Sequence, residues 1–133
     1  MIVTLTAHPS LDRAITLTAA LRPGEVQSAS AAREDAAGKG INVARVVASS
    51  GARALAVLPL AADDPYAVAL RATGIDTRVI PIAGHARSNL TILDPDGTTT
   101  KVNLPGTALS ADETRILVDA AVDAAGDARC PAG

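Results

Sequence analysis

Residues 36–45 read Ala36-Ala37-Gly38-Lys39-Gly40-Ile41-Asn42-Val43-Ala44-Arg45, and the two glycines around Lys39 mark the start of a helix. From Ile41 to Ser50, the residues Ile41, Val43, Ala44, Val46 and Val47 form a wide apolar stripe, and Gly51 stands where such a helix would end. A helix entered through Gly38 presents unpaired N–H groups and the positive end of its dipole, a setting that favours an anion. A phosphate or a polar sugar is one reading of this stretch. An ordinary glycine-containing helix start is the other. Asn42 favours a ligand, because a carboxamide in the first turn can donate to and accept from a polyol hydroxyl.

Outward from this helix, strands and helices alternate. Ile2 to Thr6 is β-branched and apolar, as a buried first strand requires, and Ala7-His8-Pro9-Ser10 stops it. Ala54 to Leu60 is continuously apolar and predicts a strand covered on both faces. Asp63 or Asp64 caps a predicted helix over Pro65 to Thr73, Gly74 closes it, and Thr77 to Ile82 reads as the next strand. Ser110 and Glu113 have the spacing of a capping box before a helix that runs to Ala125 and ends at Gly126. Residues 127–133 are left as a short tail. This alternation predicts an α/β fold, a parallel sheet with flanking helices.

Two predicted hairpins do not belong to that layer. One joins Ala14–Leu17 to Val26–Ala32 through Arg22-Pro23-Gly24-Glu25, and the other joins Ser88–Asp94 to Thr98–Val102 through Asp94-Pro95-Asp96-Gly97. They predict a small antiparallel piece set apart from the parallel sheet.

The 133 residues suit one domain or a piece of a larger one. Apolar residues make up 48% and charged residues 20%, an ordinary globular balance that excludes a wholly disordered chain. Tyr66 is the single aromatic, so the core must be aliphatic. A net charge of −2 offers no basic field to nucleic acid or to an anionic membrane. The lone Cys130 cannot form an internal disulfide and no leader-like apolar run opens the chain, which predicts a cytoplasmic protein. No stretch approaches the ~20 apolar residues of a membrane span.

Several residues carry possible chemistry. Asp12 follows the first strand, where ligands of open α/β sheets gather, and can accept from two sugar hydroxyls or serve a local turn. Arg87 opens a hairpin strand and can clamp a phosphate or sit solvated at an edge. His8 lacks the paired spacing of a metal site, and Cys130 has no base near it in sequence. A Walker loop is absent, and Val43 stands where the third glycine of a dinucleotide loop belongs.

In their order and spacing, Thr6-Ala7-His8-Pro9-Ser10-Leu11-Asp12, Gly24-Glu25-Val26, the stretch from Ala36 to Arg45 and Arg87-Ser88-Asn89-Leu90 resemble the ribokinase-like sugar kinases. The resemblance covers residues 1–126 and is closest to the phosphofructokinase and tagatose-phosphate kinase branch, with Lys39 favouring the 1-phosphofructokinase type. It implies that Asp12, Gly38 and Asn42 contact the sugar, that Arg87 contacts its existing phosphate, and that Lys39 neighbours that phosphate. The hairpins, over about residues 14–32 and 88–102, would form a lid that covers the sugar and mediates homodimer contacts.

The family reaction is transfer from ATP, with Mg²⁺, to fructose 1-phosphate, giving fructose 1,6-bisphosphate. The family's base, anion hole and ATP-binding half are expected beyond residue 133. The chain thus reads as a truncated amino-terminal part, inactive alone and without strong ATP binding. Two departures stand out: His8 replaces the usual Asn, and Leu104 replaces a commonly acidic residue before Pro105-Gly106. A non-catalytic sugar-phosphate-binding or dimerisation module is the alternative. A nucleotide-binding regulatory domain rests only on the partial glycine pattern. Fructose 1-phosphate, fructose 6-phosphate and tagatose 6-phosphate all remain open as substrates.

Overall fold

The computed structural model describes residues 1–129. In chain order the elements are β1 (Ile2–Leu5), β2 (Ser10–Leu17), β3 (Ala29–Ala37), α1 (Lys39–Ser49), β4 (Ala54–Leu60), α2 (Tyr66–Ala72), β5 (Asp76–Pro81), β6 (Arg87–Leu93), β7 (Thr99–Asn103) and α3 (Ala111–Arg129). They make two sheets, a three-stranded one in the order β1-β4-β5 and a four-stranded one in the order β3-β2-β6-β7.

The first sheet is parallel throughout, with Ile2 opposite Ala54 and Leu55 opposite Asp76. Its central strand explains the layering. Ala56, Leu58 and Leu60 of β4 face one core with Ile41 and Ala44 of α1 and Tyr66 and Leu70 of α2. Val57 faces the other way, with Leu117 and Ala124 of α3. A strand buried on both faces has no room for polar alternation, hence the unbroken apolar run of β4.

The second sheet holds both predicted hairpins. β2–β3 and β6–β7 pair antiparallel, and the two hairpins join through a parallel pairing of β2 with β6. Limits of the first hairpin differ from expectation. β2 begins at Ser10 rather than Ala14, so Asp12 lies within a strand, and β3 spans Ala29–Ala37 rather than starting at Val26. Val26 is 99% exposed, in the connection instead of a strand. Local β-propensity misleads here, because register with β2 outweighs the weak preferences of an alanine-rich segment.

The last helix also differs. It continues through Gly126 to Arg129, so residues 127–129 are helical rather than tail. A glycine costs a helix only about 1 kcal/mol relative to alanine. Ala120, Ala121, Ala124, Ala125 and Ala128 surround it and hold the helix together. At the other end the capping box is present: Ser110 N–H donates to Glu113 Oε1 at 2.9 Å, and Glu113 N–H donates to Ser110 Oγ at 3.0 Å. Cys130 lies outside the described residues. Among the described residues no helix is long and apolar enough to cross a membrane.

Candidate sugar-phosphate site

The site begins where β1 stops. Thr6 N–H still donates to Val57 O at 2.9 Å, and the chain then turns through Ala7 to Pro9 into β2. The Thr6 side chain is buried and fills the angle between Gly38 and Gly40. A Cβ on Gly38 would lie 2.5 Å from Thr6 Cγ2, and one on Gly40 would lie 2.7 Å from Leu5 O. Gly38 also has φ +142°, a backbone conformation that side chains disfavour. Packing alone therefore requires both glycines.

Tyr66 fixes the approach to this turn. Its ring is buried, and its hydroxyl donates to Ala37 O at 2.9 Å, one residue before Gly38. Burial pushes the Tyr66 phenol above its ordinary value, with Asp12 and Asp64 adding to the effect, so the hydroxyl remains a donor at neutral pH. Asp64 in turn accepts from Tyr66 N–H at 2.9 Å and from Ala86 N–H at 2.6 Å. This ties the start of α2 to the segment leading into Arg87.

Register in the second sheet brings polar residues into rows. Asp12 stands opposite Asp35 on one side and Asn89 on the other, and Asn89 stands opposite Asn103. Paired residues share a face, so a row of carboxylates and carboxamides crosses four strands. One row nearer the turn, Ser10 stands opposite Arg87. Ser10 Oγ donates to Asp12 Oδ1 at 2.9 Å. Arg87 Nε and Asn89 Oδ1 are buried and have no protein partner. Unpaired buried polar atoms are costly to a fold.

Beside them lies a cleft of ≈ 270 Å³ lined by Leu5, Thr6, Ala7, His8, Lys39, Gly40 and Arg87. Of the residues expected from sequence, Lys39 and Arg87 meet in this cleft, and Gly38 packs beneath it on Thr6. Asp12 stands one row up the sheet from Ser10 and Arg87. Asn42 is exposed and lines a separate depression with Arg45, Val46, Ser49, Thr73 and Ile75. Sequence reasoning passed over Thr6, Tyr66 and Asn89. Tyr66, as the lone aromatic, carried a signal that its hydroxyl would need a partner when buried. No group of three or more His, Cys, Asp or Glu among the described residues could hold a metal ion.

Residues 8–129 match the pfkB family of carbohydrate kinases. The chain belongs to that family. It is 37% identical over 120 residues to the 1-phosphofructokinase of Xanthomonas campestris pv. campestris, covering 88% of this chain and 37% of that enzyme. It is 34% identical over 121 residues to ATP-dependent 6-phosphofructokinase isozyme 2 of Mycobacterium tuberculosis, covering 89% of this chain and 35% of that enzyme. The crystal structure of Escherichia coli phosphofructokinase-2 in complex with fructose-6-phosphate superposes with a TM-score of 0.82 at 29% identity, covering 92% of this chain and 41% of that one. The same E. coli enzyme in its tetrameric inhibited form gives a TM-score of 0.77 at 30% identity, covering 89% and 40%. The chain thus spans well under half the length of these relatives. The carbohydrate kinase fold, a parallel sheet with flanking helices and a second small sheet, is the one expected from sequence.

Proposed function

We propose that this chain is the acceptor-binding part of an ATP-dependent sugar-phosphate kinase acting on fructose 1-phosphate to give fructose 1,6-bisphosphate. The observation that carries this reading is the cleft in which Lys39 and Arg87 meet with no carboxylate in its lining, one row along the sheet from Asp12. In this reading the Arg87 guanidinium holds the sugar's existing phosphate, since its planar fork suits a phosphate dianion. Asp12 accepts from sugar hydroxyls, and the Asn42 carboxamide, in the first turn of α1, is a second hydroxyl contact by its donor and acceptor chemistry. Gly38 and Lys39 bring α1 against the substrate, with Lys39 as a second positive charge near the phosphate. The second sheet acts as the lid, and covering the sugar keeps water from competing for the phosphoryl group.

ATP with Mg²⁺ supplies the phosphoryl group and neutralises its charge in this family reaction. The described residues offer no cluster of metal ligands and no Walker loop, so no residue is assigned to the donor. Their part is to bind and orient the acceptor. The 133-residue chain, assayed alone, is therefore not expected to turn over, because positioning without a base or donor site leaves the developing charge unstabilised. A cytoplasmic setting suits this role.

The second reading, a sugar-phosphate-binding or dimerisation module, is favoured by one further observation. Ile15, Leu90, Ile92 and Val102 share a face of the second sheet, Val102 is 50% exposed, and no helix packs extensively on β6 or β7. Such a face suits a homodimer through the lid.

Calorimetric titration with fructose 1-phosphate, fructose 6-phosphate and tagatose 6-phosphate tests the proposal. Fructose 1-phosphate should bind tightest, and Arg87→Ala should lose about 1.5–3 kcal/mol of that binding. Equal affinity for all three sugars and for Arg87→Ala would refute it.

A further inference from the structure

The site straddles two sheets that share no strand pairing. Lys39 opens α1, which packs on the first sheet, and Arg87 is the first residue of β6 in the second. Their separation is therefore set by the segments that cross between the sheets, not by a strand ladder. The start of α2 holds two of those crossings. Asp64 Oδ2 accepts from Ala86 N–H at 2.6 Å, one residue before Arg87. The Tyr66 hydroxyl donates to Ala37 O at 2.9 Å, one residue before Gly38. Asp64 Oδ1 accepts from Tyr66 N–H at 2.9 Å, which joins the two contacts into one bracket. Both residues are buried, at 5% and 0% exposure, whereas the neighbouring contacts of Glu113 with Ala83 and of Asp63 with His85 are exposed. A buried carboxylate is a costly way to make a local turn, for which a side chain with one acceptor suffices. The second oxygen of Asp64 goes instead to a partner 22 residues away.

We propose that Asp64 and Tyr66 are positioning residues of the sugar-phosphate site, which together fix Arg87 against the start of α1 so that Lys39 and Arg87 meet the same phosphate. The proposal rests on the sugar-phosphate reading for its ligand. Neither residue touches the sugar. Asp64 acts through Arg87 by holding Ala86, and Tyr66 acts through the Gly38-Lys39 turn by holding Ala37. Binding side chains keep their productive geometry to within about 0.5 Å only when the groups behind them are locked by packing and hydrogen bonds. Asp64→Asn separates this bridge from the local turn. A carboxamide has one acceptor oxygen, and with that oxygen on Tyr66 N–H its amide nitrogen faces Ala86 N–H donor to donor. Tyr66→Phe keeps the buried ring and removes the contact to Ala37 O.

The test is a pair of double-mutant cycles read by calorimetric titration of fructose 1-phosphate into the 133-residue chain, below the melting temperature of every variant. Asp64→Asn should weaken binding about tenfold, as loss of a hydrogen bond to a charged group does when it is passed on to the ligand. In the Arg87→Ala background it should cost nothing more, because Asp64 then has nothing left to position. A role in stability alone would lower affinity by the same factor in both backgrounds. Tyr66→Phe gives the matching cycle against Lys39→Ala, and it carries the test if Asp64→Asn fails to fold. Wild-type affinity in Asp64→Asn or in Tyr66→Phe, or losses that add in its cycle, overturns the positioning role of that residue and leaves the kinase reading intact. Fructose 1-phosphate binding that ignores Arg87→Ala, or no binding to the unsubstituted chain, overturns the sugar-phosphate reading and the proposal with it.

Discussion

Thr6, Gly38, Gly40 and Tyr66 show how few atoms hold the turn ahead of α1. Gly38→Ala forces a Cβ onto Thr6 Cγ2 and strains a backbone at φ +142°. It should cost roughly 1–3 kcal/mol in urea unfolding. Adding Thr6→Ser removes Cγ2 and should recover the steric share but not the backbone share. Full recovery in the double variant would show that φ contributes nothing. Tyr66→Phe leaves Ala37 O without its donor, and a loss of about 1–2 kcal/mol is expected. If the stability is unchanged, water satisfies that carbonyl and the tyrosine does not fix the turn. In a complete enzyme, Asp12→Asn should weaken sugar binding and leave ATP affinity intact. Loss of both in equal measure would contradict its assignment to the acceptor.

Among the elements, α3 is the one whose stability depends most plainly on local chemistry. Ser110→Ala should cost about 1 kcal/mol by removing the cap. The Glu113 carboxyl is held below its ordinary range, first by the Ser110 N–H and then by the Ala83 N–H, which it accepts at 2.9 Å. A lowered folded-state value means that this stabilisation is present above the ordinary carboxylate range and is lost as pH falls through the lowered value. The pair of His85 and Asp63 has two limits. The hydrogen bond to Asp63 raises His85, so its share is present below the ordinary histidine range and lost as pH rises through the raised value. Asp63 is lowered, chiefly by that same bond, so its share is lost on the acid side. Thermal unfolding against pH should therefore lose its acid slope in part in Glu113→Gln and its alkaline-side slope in part in His85→Gln. Unchanged profiles would mean that neither contact differs between folded and unfolded chains.

For the whole molecule, the exposed apolar surface is the dominant feature. Ile2 and Leu5 of β1 are 48% and 43% exposed, and β1 pairs with β4 alone among the described residues. An open strand edge and uncovered apolar side chains recruit other chains. Sedimentation velocity should show concentration-dependent association of the 133-residue chain. Ile92→Lys, on the apolar face of the second sheet, separates the sources. If association persists unchanged, it runs through β1 rather than the second sheet. A monomer at all concentrations would refute both.

The α/β class, the parallel layer, the two hairpins and the capping box were legible in the sequence because each depends on local periodicity or turn chemistry. The Gly38-Lys39-Gly40 stretch was legible as a helix start for the same reason, whereas Arg87 stood out only through the family resemblance. Tertiary structure alone decided that β2 starts at Ser10, that β2 and β6 run parallel, and that α3 passes Gly126. It alone brought Asn89 beside Asp12, and Thr6 and His8 beside Lys39 and Arg87. Pairing register and the approach of distant turns are set by contacts between segments far apart in the chain, and no local pattern of residues encodes them.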